Sequence, residues 1–413
     1  MSNSRYEVGS TRPGGRGTLR IETTRRIALF WLLVPVVLLA ACARVPAGAG
    51  AGSQSFEAAT AQPLVTSAPA EPARLGHQGS SAWLITPEGL SLSNDLGRTF
   101  TQVPLPPKVD ATAIAAVNAG DGMTWLASVG QGQSIAMYAR DSASGQWSAG
   151  TELTATWPSD LGGAEAQPPS AVRITHAGAK QVLVLAQLAL SHSVSIPRIF
   201  VSDDGGATFA QDELPGVSDL NTVWDAVALS GSNAVAVIGE RLDEVIHSGD
   251  AGSTWTTSTV NGLAPEVDFV VGTPVFAGST IYLPVTMSAG VDKGAFVLLR
   301  STDGGAVFEP AAAQALPLGT LVIGAPPAVA AAGSTWWLVS PMSGDVFRST
   351  DNGLTWSTAG AALPQGVIDI AATDGKNATV TVEQNVCATE KSDCSSGQYS
   401  ETTSDGGQTW TRI

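Results

Sequence analysis

Basic side chains are scarce in this sequence: 21 Lys and Arg stand against 36 Asp and Glu in 413 residues, a formal net charge of −15. Six of the arginines (5, 12, 16, 20, 25 and 26) sit ahead of one apolar run, Ile27 to Ala41. With that leader removed, 15 basic and 34 acidic side chains remain, near −19. Such a surface excludes nucleic acid and bare anionic phospholipid as charge-driven partners. Cysteine is nearly absent as well. Cys42, Cys387 and Cys394 are the whole set, so the fold does not rest on a disulfide framework. Long apolar runs are missing apart from Ile27 to Ala41, which is short for a bilayer span and holds Pro35. Only 14% of residues are charged and 45 are glycine, which suits a chain of many short strands and turns.

The leader runs basic, then apolar, then small, which is the order of a secretory signal. Its end, Leu39-Ala40-Ala41-Cys42, resembles the cleavage box of bacterial lipoproteins. That resemblance implies removal of residues 1–41 and a lipid on Cys42. The expectation is an exported protein, lipid-anchored on the extracytoplasmic face of a bacterial membrane and held there by the lipid rather than by basic residues. Residues 42–76 follow, rich in Ala, Pro, Gly and Ser, and read as a disordered tether reaching about 30 Å on average.

The folded part is punctuated by one motif. Ser349-Thr350-Asp351-Asn352-Gly353-Leu354-Thr355-Trp356 reads Ser-x-Asp-x-Gly-x-Thr-Trp. It returns at Ser93 to Phe100, Ser202 to Phe209, Ser248 to Trp255, Ser301 to Phe308 and Thr403 to Trp410, with Val307 once replacing the Thr. A hydroxyl and a carboxylate two residues apart can satisfy nearby backbone groups in a tight turn, and the glycine supplies a positive φ. The Thr-aromatic pair then opens a strand. The Asp positions are 95, 204, 250, 303, 351 and 405. A worn copy, Arg140 to Trp147, fills the one double gap, and taking Asp141 as its marker gives intervals of 46, 63, 46, 53, 48 and 54. Seven repeats of this length that cannot bury their own faces predict one closed body. The fold class expected for residues 77–413 is all-β: a seven-bladed β-propeller of four-stranded antiparallel blades, with the motif joining the third and fourth strands. The sixth blade is read as starting at Leu321 to Ile323, and the seventh as spanning Val367 to Ile413 without strand exchange between the chain ends.

The motif resembles the Asp-box, or bacterial neuraminidase repeat, found on propellers of sialidases, sortilin, xyloglucanases and a photosystem II assembly factor. The resemblance covers nearly all of the mature chain and implies the propeller fold. It also implies that Asp95, Asp204, Asp250, Asp303, Asp351 and Asp405 are structural, on the outer side of the blades and away from the ligand face. Sialidase chemistry would further imply three substrate-binding arginines, a Tyr nucleophile and an acid/base Asp. The Phe-Arg-Ile-Pro stretch of that family is absent, and Tyr138, Tyr282 and Tyr399 all read as strand residues.

Function is expected at the opposite face, where the innermost strands begin. Asp110, Arg173, Asp225, Asp268 and Asp369 each stand between apolar residues there, at what reads as a matched position in five of seven units. Converging carboxylates raise one another's pKa, bind a cation weakly, or take cationic donors from a ligand; the same residues also read as solvated side chains of a wet channel. Trp157, in the long connection after the second blade, is a further candidate contact, and His192 reads as an ordinary loop residue. Cys387 and Cys394 are placed in a loop after Glu383 and Gln384, stapled by a disulfide; no metal set or cofactor is expected. Two functions fit: a binding or scaffold propeller for a protein or glycan, and a glycoside hydrolase using two of the channel carboxylates.

Overall fold

The computed structural model describes residues 73–413, apart from 131–133, 154–168, 170, 192–193, 213, 215–225, 239–244, 264–267, 289–293, 313–315, 320–326, 341–342 and 390–391. Cys42 and the residues assigned to the leader lie outside the described residues, as does the tether up to residue 72.

Seven antiparallel sheets follow one another along the chain, each a meander from an innermost to an outermost strand. The innermost strands are Arg74–Gln78, Ile114–Gly120, Ala171–Ala177, Ala226–Ser230, Asp268–Val271 continued by Val275–Ala277, Ala328–Ala332 and Val367–Ala372. They touch in that cyclic order, and the first also touches the last. That is a seven-bladed β-propeller. Six blades have four strands. In the fifth, Thr259–Val260 pairs in parallel with the outermost strand, Val307–Pro310, and Leu316–Gly319 pairs with the third, Gly294–Ser301.

The second strands are short apolar runs such as Ala234 to Val237 and Trp336 to Val339, because both faces of each sheet are covered by neighbouring blades. Trp125, Val182, Val184 and Phe200 fill the seam between blades 2 and 3, and Trp337, Val339, Val380 and Val382 that between blades 6 and 7. Blade 7 is complete in itself, and among the described residues no strand is shared across the ring's closure. Polar contacts between blades 7 and 1 hold it: Gln398 Oε1 accepts from the Leu75 N–H at 2.7 Å, and Thr379 Oγ1 donates to the Leu96 carbonyl at 2.9 Å.

Three sequence-level boundaries move. The first innermost strand, expected weakly near Ala73 to Gly76 beside the tether, is Arg74–Gln78, so residues 74–76 belong to blade 1. The described innermost strand of blade 6 is Ala328–Ala332; Leu321 to Ile323 lie outside the described residues. The stretch holding Cys387 and Cys394 is no loop: strands Ala378–Thr389 and Ser392–Thr403 form one long hairpin in which the two cysteines are direct cross-strand partners.

The worn copy keeps its frame, but its marker moves by one residue. In six blades the residue before the motif's hydroxyl pairs with the residue after its ring, as in Leu92↔Thr101, Arg348↔Ser357 and Thr402↔Thr411. Blade 2 closes the same way, with the Ser148 N–H donating to the Ala139 carbonyl at 2.7 Å. The motif frame is therefore Arg140 to Trp147. Arg140 stands in the hydroxyl's place, Ser142 in the carboxylate's and Ser144 in the glycine's, while Asp141 is not the counterpart of the motif Asp.

Candidate functional site

The motif carboxylates are fully engaged within their own turns. Ser349 Oγ donates to Asp351 Oδ1 at 2.7 Å and accepts from the N–H groups of Asp351 and Gly353. The Thr355 N–H donates to Asp351 Oδ1 at 2.9 Å and its hydroxyl to Oδ2 at 2.6 Å. Asp95, Asp204, Asp250 and Asp405 repeat the set, and at Asp303 the Val307 replacement removes only the hydroxyl contact. These bonds hold the carboxyls of Asp95, Asp204, Asp351 and Asp405 down to about 2, led by the Ser93 hydroxyl at Asp95 and by the Thr208, Thr355 and Thr409 hydroxyls at the others. A carboxylate held this far below the ordinary range has no proton to give above about pH 4, and its hydrogen bonds all go to its own turn. Its chemistry is that of a turn fastener.

At the other end of the blades, where the innermost strands begin, charge is less committed. Arg173 is the third residue of its strand and exposed; among the described residues its guanidinium reaches only the carbonyl of the adjacent Val172, at 3.4 Å. Asp110 is exposed and precedes a one-turn 3-10 helix, Ala111–Ala113, without capping it through its side chain. The Asp369 side chain is 40% exposed, and its Oδ2 lies 3.5 Å from Nδ1 of His77, a fully buried side chain on the first blade. The same His77 nitrogen is 3.2 Å from Thr381 Oγ1, and His77 Nε2 is buried without a partner. Asp268 opens its strand but its side chain lies outside the description, and Asp225, Trp157 and His192 lie outside the described residues.

The register corrects the picture of one matched ring. Counting from the second-strand residue that faces the motif's hydroxyl, Arg173 and Asp369 sit at one level, opposite Leu185 and Thr381. Arg74, opposite Ile85, occupies that level in blade 1 and was hidden in the sequence by its place beside the tether. Ala116, Ala226 and Ala328 hold it in blades 2, 4 and 6. Asp110 falls ahead of its strand, and Asp268 faces Ser288, beyond the matching residue Pro284. Bulges at Ile114/Ala116 and Val367/Asp369, together with the break in blade 5, displace the count, and a linear sequence carries no sign of them. Arg74 is itself tied down: Nη2 donates to the Ile114 carbonyl and Nη1 to that of Ala115 at 3.4 Å, and burial lowers its pKa. Among the described residues no three His, Cys, Asp or Glu side chains come together as a metal site.

No family model matches this sequence, and no curated protein does. Solved structures do. YCF48 from Cyanidioschyzon merolae is 12% identical, with 76% of this chain and 87% of that one covered and a TM-score of 0.42. YCF48 bound to D1 peptide is 13% identical over 60% of this chain and 82% of that one, TM-score 0.34. The α-L-arabinofuranosidase arb93a of Fusarium graminearum, a point mutant in complex with an iminosugar inhibitor, is 11% identical over 73% and 95%, TM-score 0.43. Likenesses this distant reach no further than the fold.

Proposed function

We propose that this protein is an exported lipoprotein, anchored through Cys42, whose propeller binds a protein or glycan at the face where the innermost strands begin. The observation that carries the reading is the split between committed and uncommitted charge. The motif carboxylates are hydrogen-bonded within their own turns, whereas Asp110 and Arg173 are exposed at the other end and have no ion-pair partner among the described residues. Exposed, unpaired charges of both signs around a channel mouth supply orientation to a polar partner at little desolvation cost. Arg173 and Asp369 form the described centre of this face, Asp110 its margin, and Asp225, Asp268 and Trp157 complete the proposed contact set. A weakly held cation at the carboxylates belongs to the same proposal.

The test uses the full chain in mild detergent, with a glycan array and a pull-down from an envelope extract, against a triple variant carrying Asp110→Asn, Arg173→Gln and Asp369→Asn. The expected result is a partner retained by the parent and lost, by about tenfold or more, in the variant. Equal capture by both proteins overturns the reading. Release of new reducing ends from an array glycan would instead identify a glycoside hydrolase.

A further inference from the structure

Blade 2 keeps the frame of the motif but not its residues, and the consequence appears at the seam with blade 1. In blades 3, 4 and 6 the motif's glycine lies flat on the preceding blade. A β-carbon at Gly206 would fall 2.7 Å from the Trp125 ring, one at Gly252 2.5 Å from Leu183, and one at Gly353 2.5 Å from Leu298. Ser144, in the corresponding place of blade 2, carries the β-carbon that such contacts exclude. The seam between blades 1 and 2 is correspondingly open: a groove of about 670 Å³ runs along it, on the side of the motif turns and away from the channel mouth described above. That is the size range of a small-ligand site.

One wall of the groove comes from blade 1, with Ser81, Leu92, Asp95, Thr99 and Val103; the other comes from blade 2, with Asp121, Met123, Thr124, Arg140 and Ser142. Arg140 takes the place where the other blades put a hydroxyl that ties down the turn. Its Nε is buried with no hydrogen-bond acceptor, and it forms no ion pair among the described residues. Nε itself is closed off from solvent, but the guanidinium has no hydrogen-bond acceptor among the described residues, so its terminal nitrogens are left to take one from the groove. The carboxylate of Asp95, in the same groove, is already occupied by Ser93 and Thr99.

We infer that this groove is a carboxylate-binding site. Arg140 receives a monoanionic carboxylate, the aliphatic wall of Leu92, Val103 and Met123 takes the carbon beside it, and the Ser and Thr hydroxyls bind flanking polar atoms. One guanidinium faces two carboxylates, Asp95 and Asp121, so the groove is net negative; a dianionic phosphate is repelled more strongly than a monoanion, which is held through direct hydrogen bonds to Arg140. Among the described residues no aromatic ring lines the groove, so they offer a sugar no stacking platform. The carboxylate can come from a free aliphatic acid or from an acidic residue within a peptide.

Ligand-observed NMR and calorimetry on the full chain test this, with three probes: glutarate monoamide, an acetylated and amidated Ala-Glu-Leu peptide, and inorganic phosphate. The acid, the peptide or both are expected to bind, and phosphate much more weakly; the stronger of the two identifies the source. Arg140→Gln is expected to weaken binding about tenfold or more, the loss of one charge-assisted hydrogen bond. A second variant rebuilds the motif with Arg140→Ser, Ser142→Asp, Ser144→Gly and Gln146→Thr; it is expected to abolish binding while raising the thermal midpoint. Absence of binding to the parent chain at millimolar probe, undiminished binding by both variants, or phosphate binding as tightly as the acid would each overturn the inference.

Discussion

At the residue scale the motif is a hydrogen-bond device with a buried hinge. Ser349 is 1% exposed, and its hydroxyl accepts the Gly353 N–H at 2.9 Å, a donor with no water to turn to. Ser349→Ala is therefore expected to destabilise the protein by about 1–3 kcal/mol, the cost of an unsatisfied buried donor, read as a shifted urea midpoint at unchanged slope. The carboxylates predict a pH dependence whose sign is fixed. Asp95, Asp204, Asp351 and Asp405 are held near about 2, below the ordinary carboxylate value of about 4, so the stability they contribute is complete above about pH 4 and is lost as pH falls towards 2. Burial pushes Asp212 and Glu401 the other way, and these two oppose the trend. The expected thermal-midpoint profile declines steadily between pH 4 and 2; a flat profile over that window would contradict the assignment. These residue roles were legible in the sequence because every partner in the turn lies within six positions of the Asp or Ser concerned.

At the scale of the single element, two features show what a turn or hairpin tolerates. Gly353 combines a φ of 79° with a neighbour, Leu298 of the preceding blade, that leaves no room for a methyl group. Gly353→Ala is expected to cost about 2–4 kcal/mol, from left-handed strain and overpacking together, measured by the same urea titration. The hairpin of blade 7 aligns Cys387 with Cys394. Directly paired antiparallel residues have Cα atoms about 4.5–5.5 Å apart, inside the range a disulfide needs. Mass spectrometry of the non-reduced, exported protein is expected to find the two linked; two free thiols after oxidation would refute the pairing. The sequence put these cysteines in a loop because Ser, Gly and Asp around them read as turn residues, whereas the long ladder from Ala378 to Thr403 carries them on strands. In blade 2 the sequence frame Arg140 to Trp147 stands, but its marker Asp141 is one residue from the place of the motif Asp. Asp141 resembles the motif Asp by type, but only the Ala139–Ser148 pairing shows which position it fills.

At the scale of the whole molecule the ring closes through side chains between a complete first blade and a complete last one. Thr379 is fully buried there, and its hydroxyl meets the Leu96 carbonyl. Thr379→Val keeps the shape and removes the bond, and is expected to lower stability by about 1–2 kcal/mol, with hydrogen exchange rising first in blades 1 and 7. If exchange instead rises evenly around the ring, closure is not limited by this seam. The sequence by itself determined the fold class, the blade count and the structural role of the motif, because a period of about fifty residues and contacts within one turn are local properties of the chain. Only the tertiary structure decided which residues share a level at the channel mouth, that Arg74 joins Arg173 and Asp369 there, and that Arg140 faces an open seam. Those facts depend on bulges, on register and on what the neighbouring blade presents, and none of these is carried by spacing along one strand.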